Sequence, residues 1–137
     1  MGEVRARVRL TNAVDEENAR RNIIKTGEIR SYVADALVDT GAVRSVVPAF
    51  VVERMGLSLR GRKVVEYADG RKESVGMTGP VIFDIDGRDT LEEALVLGDE
   101  VIIGQTVLEK MDLFVDCANR RLYPNPAHPD QPISRMK

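Results

Sequence analysis

Apolar and polar residues alternate with a period of two over Val4, Ala6, Val8 and Leu10, with Arg5, Arg7 and Arg9 between them. This pattern predicts a strand with one apolar face and one solvated, arginine-bearing face. Thr11 to Gly27 is polar and carries the acidic run Asp15-Glu16-Glu17. It reads as a loop with room for a short helix around Glu16–Asn22. Glu28 to Val38 reads as a second strand, and its last residues, Ala36-Leu37-Val38, are continuously apolar, as at a strand end buried on both faces. Val46-Val47-Pro48 resumes strand briefly. Pro48 to Leu57 predicts a short helix with Pro at its start and Gly56 near its end.

Further along, Lys63 to Val75 predicts a hairpin turning at Asp69-Gly70, a dipeptide suited to a two-residue type I′ turn. The basic cluster Arg60-Gly61-Arg62-Lys63 before it reads as a surface loop. Pro80 to Ile85 is another strand, ended by a turn at Asp86-Gly87. Leu91 to Leu97 is strand-like, and Val101-Ile102-Ile103 is a short buried run closed by Gly104. Gln105 to Met111 reads as one or two helical turns, and Leu113–Val115 with Arg121–Tyr123 as a last hairpin. Many short strands, few helices and regular turns predict an all-β barrel or sandwich with one or two short helices. Pro124, Pro126, Pro129 and Pro132 mark a tail, so the expected division is a folded domain over 1–124 and a Pro-rich segment over 125–137 that stays extended and off the core.

Composition sharpens this picture. The chain has 137 residues, enough for one domain, and 43% hydrophobic residues with only 4% aromatics, so the core must be aliphatic. A net charge of −2 gives no basic footprint for nucleic acid. No apolar run approaches the roughly 20 residues of a membrane span, and the first residues lack an apolar leader core. Cys117 is the one cysteine, which excludes an intrachain disulfide and fits a reducing compartment. A soluble cytoplasmic protein without membrane or nucleic-acid partners is the expectation.

Chemistry concentrates at Ala36-Leu37-Val38-Asp39-Thr40-Gly41-Ala42. A carboxylate directly after a buried apolar strand is unusual, because burying charge is costly. Gly41 lets the backbone turn sharply and bring an amide to that carboxylate, and the Thr40 hydroxyl can tie the loop down. The triplet alone opens many ordinary turns. Other groups offer less: His128, the one histidine, lies in the Pro-rich tail, poorly placed to act as a base. One His, one Cys and acidic pairs such as Glu92-Glu93 and Asp99-Glu100, read as solvated loops, point to no metal and no cofactor. Cys117 reads as a small packed residue, Asp84, Asp86, Asp112 and Asp116 as turn residues, and Met55, Met77 and Met111 as core.

From Leu37-Val38-Asp39-Thr40-Gly41-Ala42 onward the sequence resembles the retropepsin-like aspartic proteases, and the resemblance continues in chain order. Ser45-Val46-Val47-Pro48 and the helix after it resemble the segment following the catalytic loop. Tyr67-Ala68-Asp69-Gly70 stands where the family has its flap. Ile102-Ile103-Gly104 before Gln105-Thr106-Val107-Leu108 resembles a second, structural motif whose strand passes beneath that loop, and Leu113–Asp116 to Leu122 resembles the closing hairpin. The match spans roughly residues 4 to 124. Val43 stands where many members carry a polar or acidic residue, Ala13–Gly27 is longer than in compact viral enzymes, and the Pro-rich tail replaces a short interface strand.

The resemblance implies a small closed β-barrel and catalytic roles for Asp39, Thr40 and Gly41. It also implies substrate contacts from Ala42 and the flap residues Tyr67, Ala68, Asp69 and Gly70. Aspartic proteolysis needs two close carboxylates sharing one proton, and this chain carries a single Asp-Thr-Gly. The implied enzyme is therefore a homodimer with one site, acting on a peptide or protein substrate, with Thr40 bonding across the dimer axis. The same fold without turnover, as a peptide-binding or dimerisation module, is the alternative.

Overall fold

A computed structural model describes residues 2–136, which form nine strands and three α-helices. The strands are β1 (Val4–Asn12), β2 (Ser31–Val38), β3 (Val46–Val47), β4 (Leu59–Glu66), β5 (Lys72–Ile85), β6 (Arg88–Val96), β7 (Ile102–Ile103), β8 (Leu113–Asp116) and β9 (Arg121–Pro124). The helices are α1 (Ala13–Arg20), α2 (Ala49–Met55) and α3 (Gln105–Met111). The large sheet runs β1-β2-β7-β3-β6-β5-β4 and closes on itself because β1 also pairs with β5, from Arg9↔Asp84 to Asn12↔Val81. Six strands thus form a barrel, and β4 extends from it on β5. The fold is all-β, as the alternation predicts.

The predicted faces explain the core. Val4, Val8 and Leu10 of β1 point inward, with Ala34, Ala36 and Val38 of β2, while Arg7 and Arg9 face water. Leu37, expected to be buried, is half-buried. The interior is completed by Val81, Phe83 and Ile85 of β5, by Val51 and Met55 of α2, and by Val107, Leu108 and Met111 of α3. Met55 and Met111 are core residues, whereas Met77 is half-buried, with its Sδ 3.8 Å from Arg44 Nη2.

Several segments differ from their sequence reading. Residues 60–63 belong to strand β4, not to a loop; their side chains are exposed on both faces, so no apolar alternation betrayed the strand, and pairing with β5 forms it. The two segments read as separate around Val75 and Pro80 are one strand, β5, with a register shift between Met77 and Pro80. The buried Thr78 hydroxyl fills that irregularity, donating to Gly79 O (2.7 Å) and accepting from Ala94 N (3.0 Å). The β4–β5 connection is not type I′: Gly70 has φ +86 while Asp69 stays at negative φ, and Tyr67 N donates to Arg71 O. This is a longer loop with glycine in the left-handed position. The two-residue I′ geometry occurs instead at Asp86-Gly87, with φ +50 and +87 between Ile85 and Arg88.

A third helix fills the polar segment after β1. Asn12, buried, accepts from Asp15 N at 3.0 Å as the cap of α1, while its Nδ2 donates to Met55 O at the end of α2 (2.9 Å). Asp15 is buried and receives Arg30 through Nε at 2.9 Å and Nη2 at 3.0 Å. Those bonds hold its carboxyl below the usual carboxylate range, against the upward push of desolvation.

The Pro-rich tail, expected off the core, is tied to it. Asp112, in the left-handed conformation at the end of α3, accepts from Asn125 Nδ2 (3.0 Å) and Ile133 N (3.3 Å) and bonds His128 Nδ1. Buried Arg88 donates to the carbonyls of Met111, Asp112 and His128. Unpaired carbonyls at the end of α3 and a buried guanidinium both need partners, and the tail supplies some of them. Cys117, read as packed, is exposed in the β8–β9 turn.

Candidate active site

The exposed Asp39 follows directly on β2. Its backbone N–H donates to Ile103 O at 3.0 Å and its carbonyl accepts from Ala42 N at 3.1 Å. Its Oδ1 accepts from the Gly41 amide at 2.9 Å. A Cβ on Gly41 would sit 3.2 Å from that same oxygen, so glycine suits the close approach. The carboxylate is therefore held by backbone on one oxygen, while Oδ2 has no protein partner among the described residues. The Thr40 side chain is exposed and likewise makes no hydrogen bond among the described residues.

The second motif lies beneath this loop. β7 runs between β2 and β3, parallel to β2 (Leu37↔Ile102, Val38↔Ile103) and antiparallel to β3. Gly104 is buried, and a Cβ there would meet Arg44 C and O at 2.6 Å and Ala42 O at 2.9 Å. α3 then returns two amides to the loop: Gln105 N donates to Ala42 O (2.8 Å) and Thr106 N to Val43 O (3.1 Å). Thr106 Oγ1 also donates to Glu92 Oε1 at 2.7 Å, and Lys110 pairs with Glu92 Oε2 at 3.1 Å. Glu92 is thus buried and bonded, and Glu93 pairs with Arg60 and Arg44; neither sits in the solvated loop the sequence suggested.

Asp39, Gly41 and Ala42 open onto a groove of about 540 Å³ whose apolar walls include Val46, Val65, Leu95 and Ile102. Tyr67 and Ala68 line it, whereas Asp69 and Gly70 form the tip of the β4–β5 hairpin above it. Asp69 Oδ1 accepts from Arg71 N at 2.9 Å, stiffening the tip. The Tyr67 hydroxyl bonds Glu73, which raises the phenol above its ordinary pKa, and the Arg71 guanidinium lies 4.3 Å from its ring centre. The structure brings Asp39, Gly41, Ala42, Tyr67, Ala68 and Ile102 to one groove, with Ile103 and Gly104 below it. His128 and Cys117 lie outside its lining.

Among solved structures, the retroviral protease-like domain of Ddi1 from Leishmania major superposes over 92% of this chain and 90% of its own, with TM-score 0.55 and 18% identity. The fold is retropepsin-like. No protein-family model and no curated protein matches the sequence. The β4–β5 hairpin stands over the groove, and β7 pairs with β2 directly before the Asp39 loop. Ser45, placed by the resemblance in the segment after the Asp39 loop but given no bond there, is fully buried and accepts from Gly104 N at 2.9 Å, and Arg44 and Lys63 join the groove as cations the sequence does not mark as site residues. Ser45 carried a usable signal, a lone hydroxyl before an apolar run.

Proposed function

We propose that this chain is a homodimeric aspartic endopeptidase in which Asp39 and its two-fold mate share one proton. The supporting observation is the anchored Asp39 carboxylate, one oxygen fixed by Gly41 N–H and the other unpaired among the described residues, at the mouth of a groove beneath a hairpin. Two such carboxylates side by side resist double ionisation, so one stays protonated. The ionised partner takes a proton from a water, whose oxygen attacks the peptide carbonyl carbon. The protonated partner donates to the carbonyl oxygen as the tetrahedral intermediate forms. Collapse of that intermediate breaks the C–N bond, and a proton passes to the leaving nitrogen. Thr40, without a side-chain partner among the described residues of its own chain, is available to bond across the axis. The β4–β5 hairpin closes over substrate and excludes water.

The free edge of β4 favours a second reading. Among the described residues this strand pairs with β5 alone, so its outer edge can accept an extended peptide as an added strand without any turnover. Cleavage of a mixed peptide library across pH ~4 to ~7, read by mass spectrometry, separates the two. Cuts made by the wild type and absent with Asp39→Asn support proteolysis. A dimer that binds peptides yet cuts none at any pH supports the binding module, and a monomer at high concentration overturns the shared dyad.

A further inference from the structure

Arg44 is the one residue whose side chain carries a buried nitrogen without a hydrogen-bond partner among the described residues: its Nε. Its remaining contacts are loose. Nη2 lies 3.4 Å from Glu93 O, 3.8 Å from Glu93 Oε1 and 3.8 Å from Met77 Sδ. Glu93 is itself more tightly engaged by Arg60, at 3.1 Å. A guanidinium presents five donors in a planar fork suited to a bidentate carboxylate, and here most of that capacity is unused. The side chain stands on the wall of the Asp39 groove.

A second cation shares the groove. Lys63 lines it and forms no ion pair among the described residues. Alternation along β4 places Lys63 and Val65 on one face. Val65 packs against Val46, Val75 and Leu95, so this is the inward face. Glu66, the one carboxylate of the lining besides Asp39, falls on the opposite face of the strand. Arg44 and Lys63 are thus the cations of the lining, set around an apolar floor, while Glu73, opposite Val65 in the β4–β5 register, shares the inward face and is engaged by the Tyr67 hydroxyl.

We infer that Arg44, assisted by Lys63, forms a carboxylate-binding subsite of the groove, so that the preferred substrate is a peptide with an acidic side chain close to the bond cleaved. In a two-fold pair this subsite recurs on both sides of that bond. The inference rests on the proteolytic reading for its cleavage arm and on the groove alone for its binding arm.

The test uses the 137-residue protein and a peptide cut by the wild type, with Glu, Gln or Lys placed in turn at each of the residues flanking the bond. At one or more positions Glu is expected to exceed Gln by about tenfold in kcat/KM, with Lys poorest, and the gap should shrink as salt rises. Folded Arg44→Gln should treat Glu and Gln alike, and Arg44→Glu should favour Lys. Where Arg44 variants fail to fold, Glu93→Gln, which releases Arg44 from its internal partner, should widen the Glu preference, and Lys63→Gln should narrow it. The same peptides are titrated against Asp39→Asn by fluorescence anisotropy. Glu-selective binding without any cleavage by wild type keeps the subsite and removes the protease. Equal handling of Glu and Gln in both assays, an undiminished Glu preference in folded Arg44→Gln, or no binding of any peptide overturns the subsite.

Discussion

The Ser45 hydroxyl oxygen accepts a 2.9 Å hydrogen bond from the buried Gly104 amide, joining the loop after Asp39 to the strand beneath it. This bond, with the Asp39 N to Ile103 O bond, makes the floor of the groove one unit. Ser45→Ala leaves a buried N–H without a partner and is expected to cost about 1–3 kcal/mol in urea unfolding. Gly104→Ala is worse, because the new methyl meets backbone atoms of Arg44 that no side-chain rotation can move. Its loss should reach about 3 kcal/mol or more, with peptide cleavage falling alongside.

Asp15 predicts an acid-sensitive brace between α1 and the start of β2. Arg30 lowers its folded pKa below the ordinary 3.8. The stability it supplies is therefore present above the unfolded value and lost as pH falls through the lower folded one. Asp15→Asn should have a lower Tm than wild type at pH 7. The two melting curves should converge once the pH lies below the folded value, as read by circular dichroism.

The tail makes the same kind of prediction at Asp112, whose carboxyl is lowered chiefly by Asn125, with His128 and the Ile133 amide adding to it. Asp112→Ala should raise hydrogen exchange at the Asn125 and Ile133 amides while leaving Val8 and Phe83 protected. In the wild type, the same release should occur as pH falls below the ordinary carboxylate range, because protonation of Asp112 removes the charge that Asn125 and the Ile133 amide bind.

Tyr67→Phe removes the hydroxyl bonded to Glu73 at the exposed β4–β5 hairpin. Global stability should change little, since the pair is solvated. Exchange at Gly70 N–H, which donates to Tyr67 O, should rise, and peptide affinity should fall about threefold as the hairpin loses a tether. Unchanged exchange at Gly70 would remove Tyr67 from positioning the hairpin tip.

The helix ends at Gly56 and Met111, the strand faces of β1 and the Asp39-Thr40-Gly41 loop were legible along the chain because each is local. A period of two, a proline before a helix, a glycine after it and a carboxylate after an apolar run are all fixed by neighbours in sequence. Asp69-Gly70 and Asp86-Gly87 show the boundary of that legibility. The same dipeptide makes different turns, because the register of the flanking strands, set across the barrel, decides how many residues each loop spans.

What the sequence by itself determined is the all-β class, the aliphatic core and a loop that turns the Asp39 carboxylate back onto its own Gly41 amide. Only the tertiary structure decided that an exposed run such as Arg60–Lys63 is a strand, that Glu92 is buried, that the tail docks on Asp112 and that Arg44 shares a groove with Asp39. The physical reason is common to all four. Each depends on a partner distant in sequence, and hydrogen bonds and charge pairs across such distances leave no periodic trace in the residues that make them.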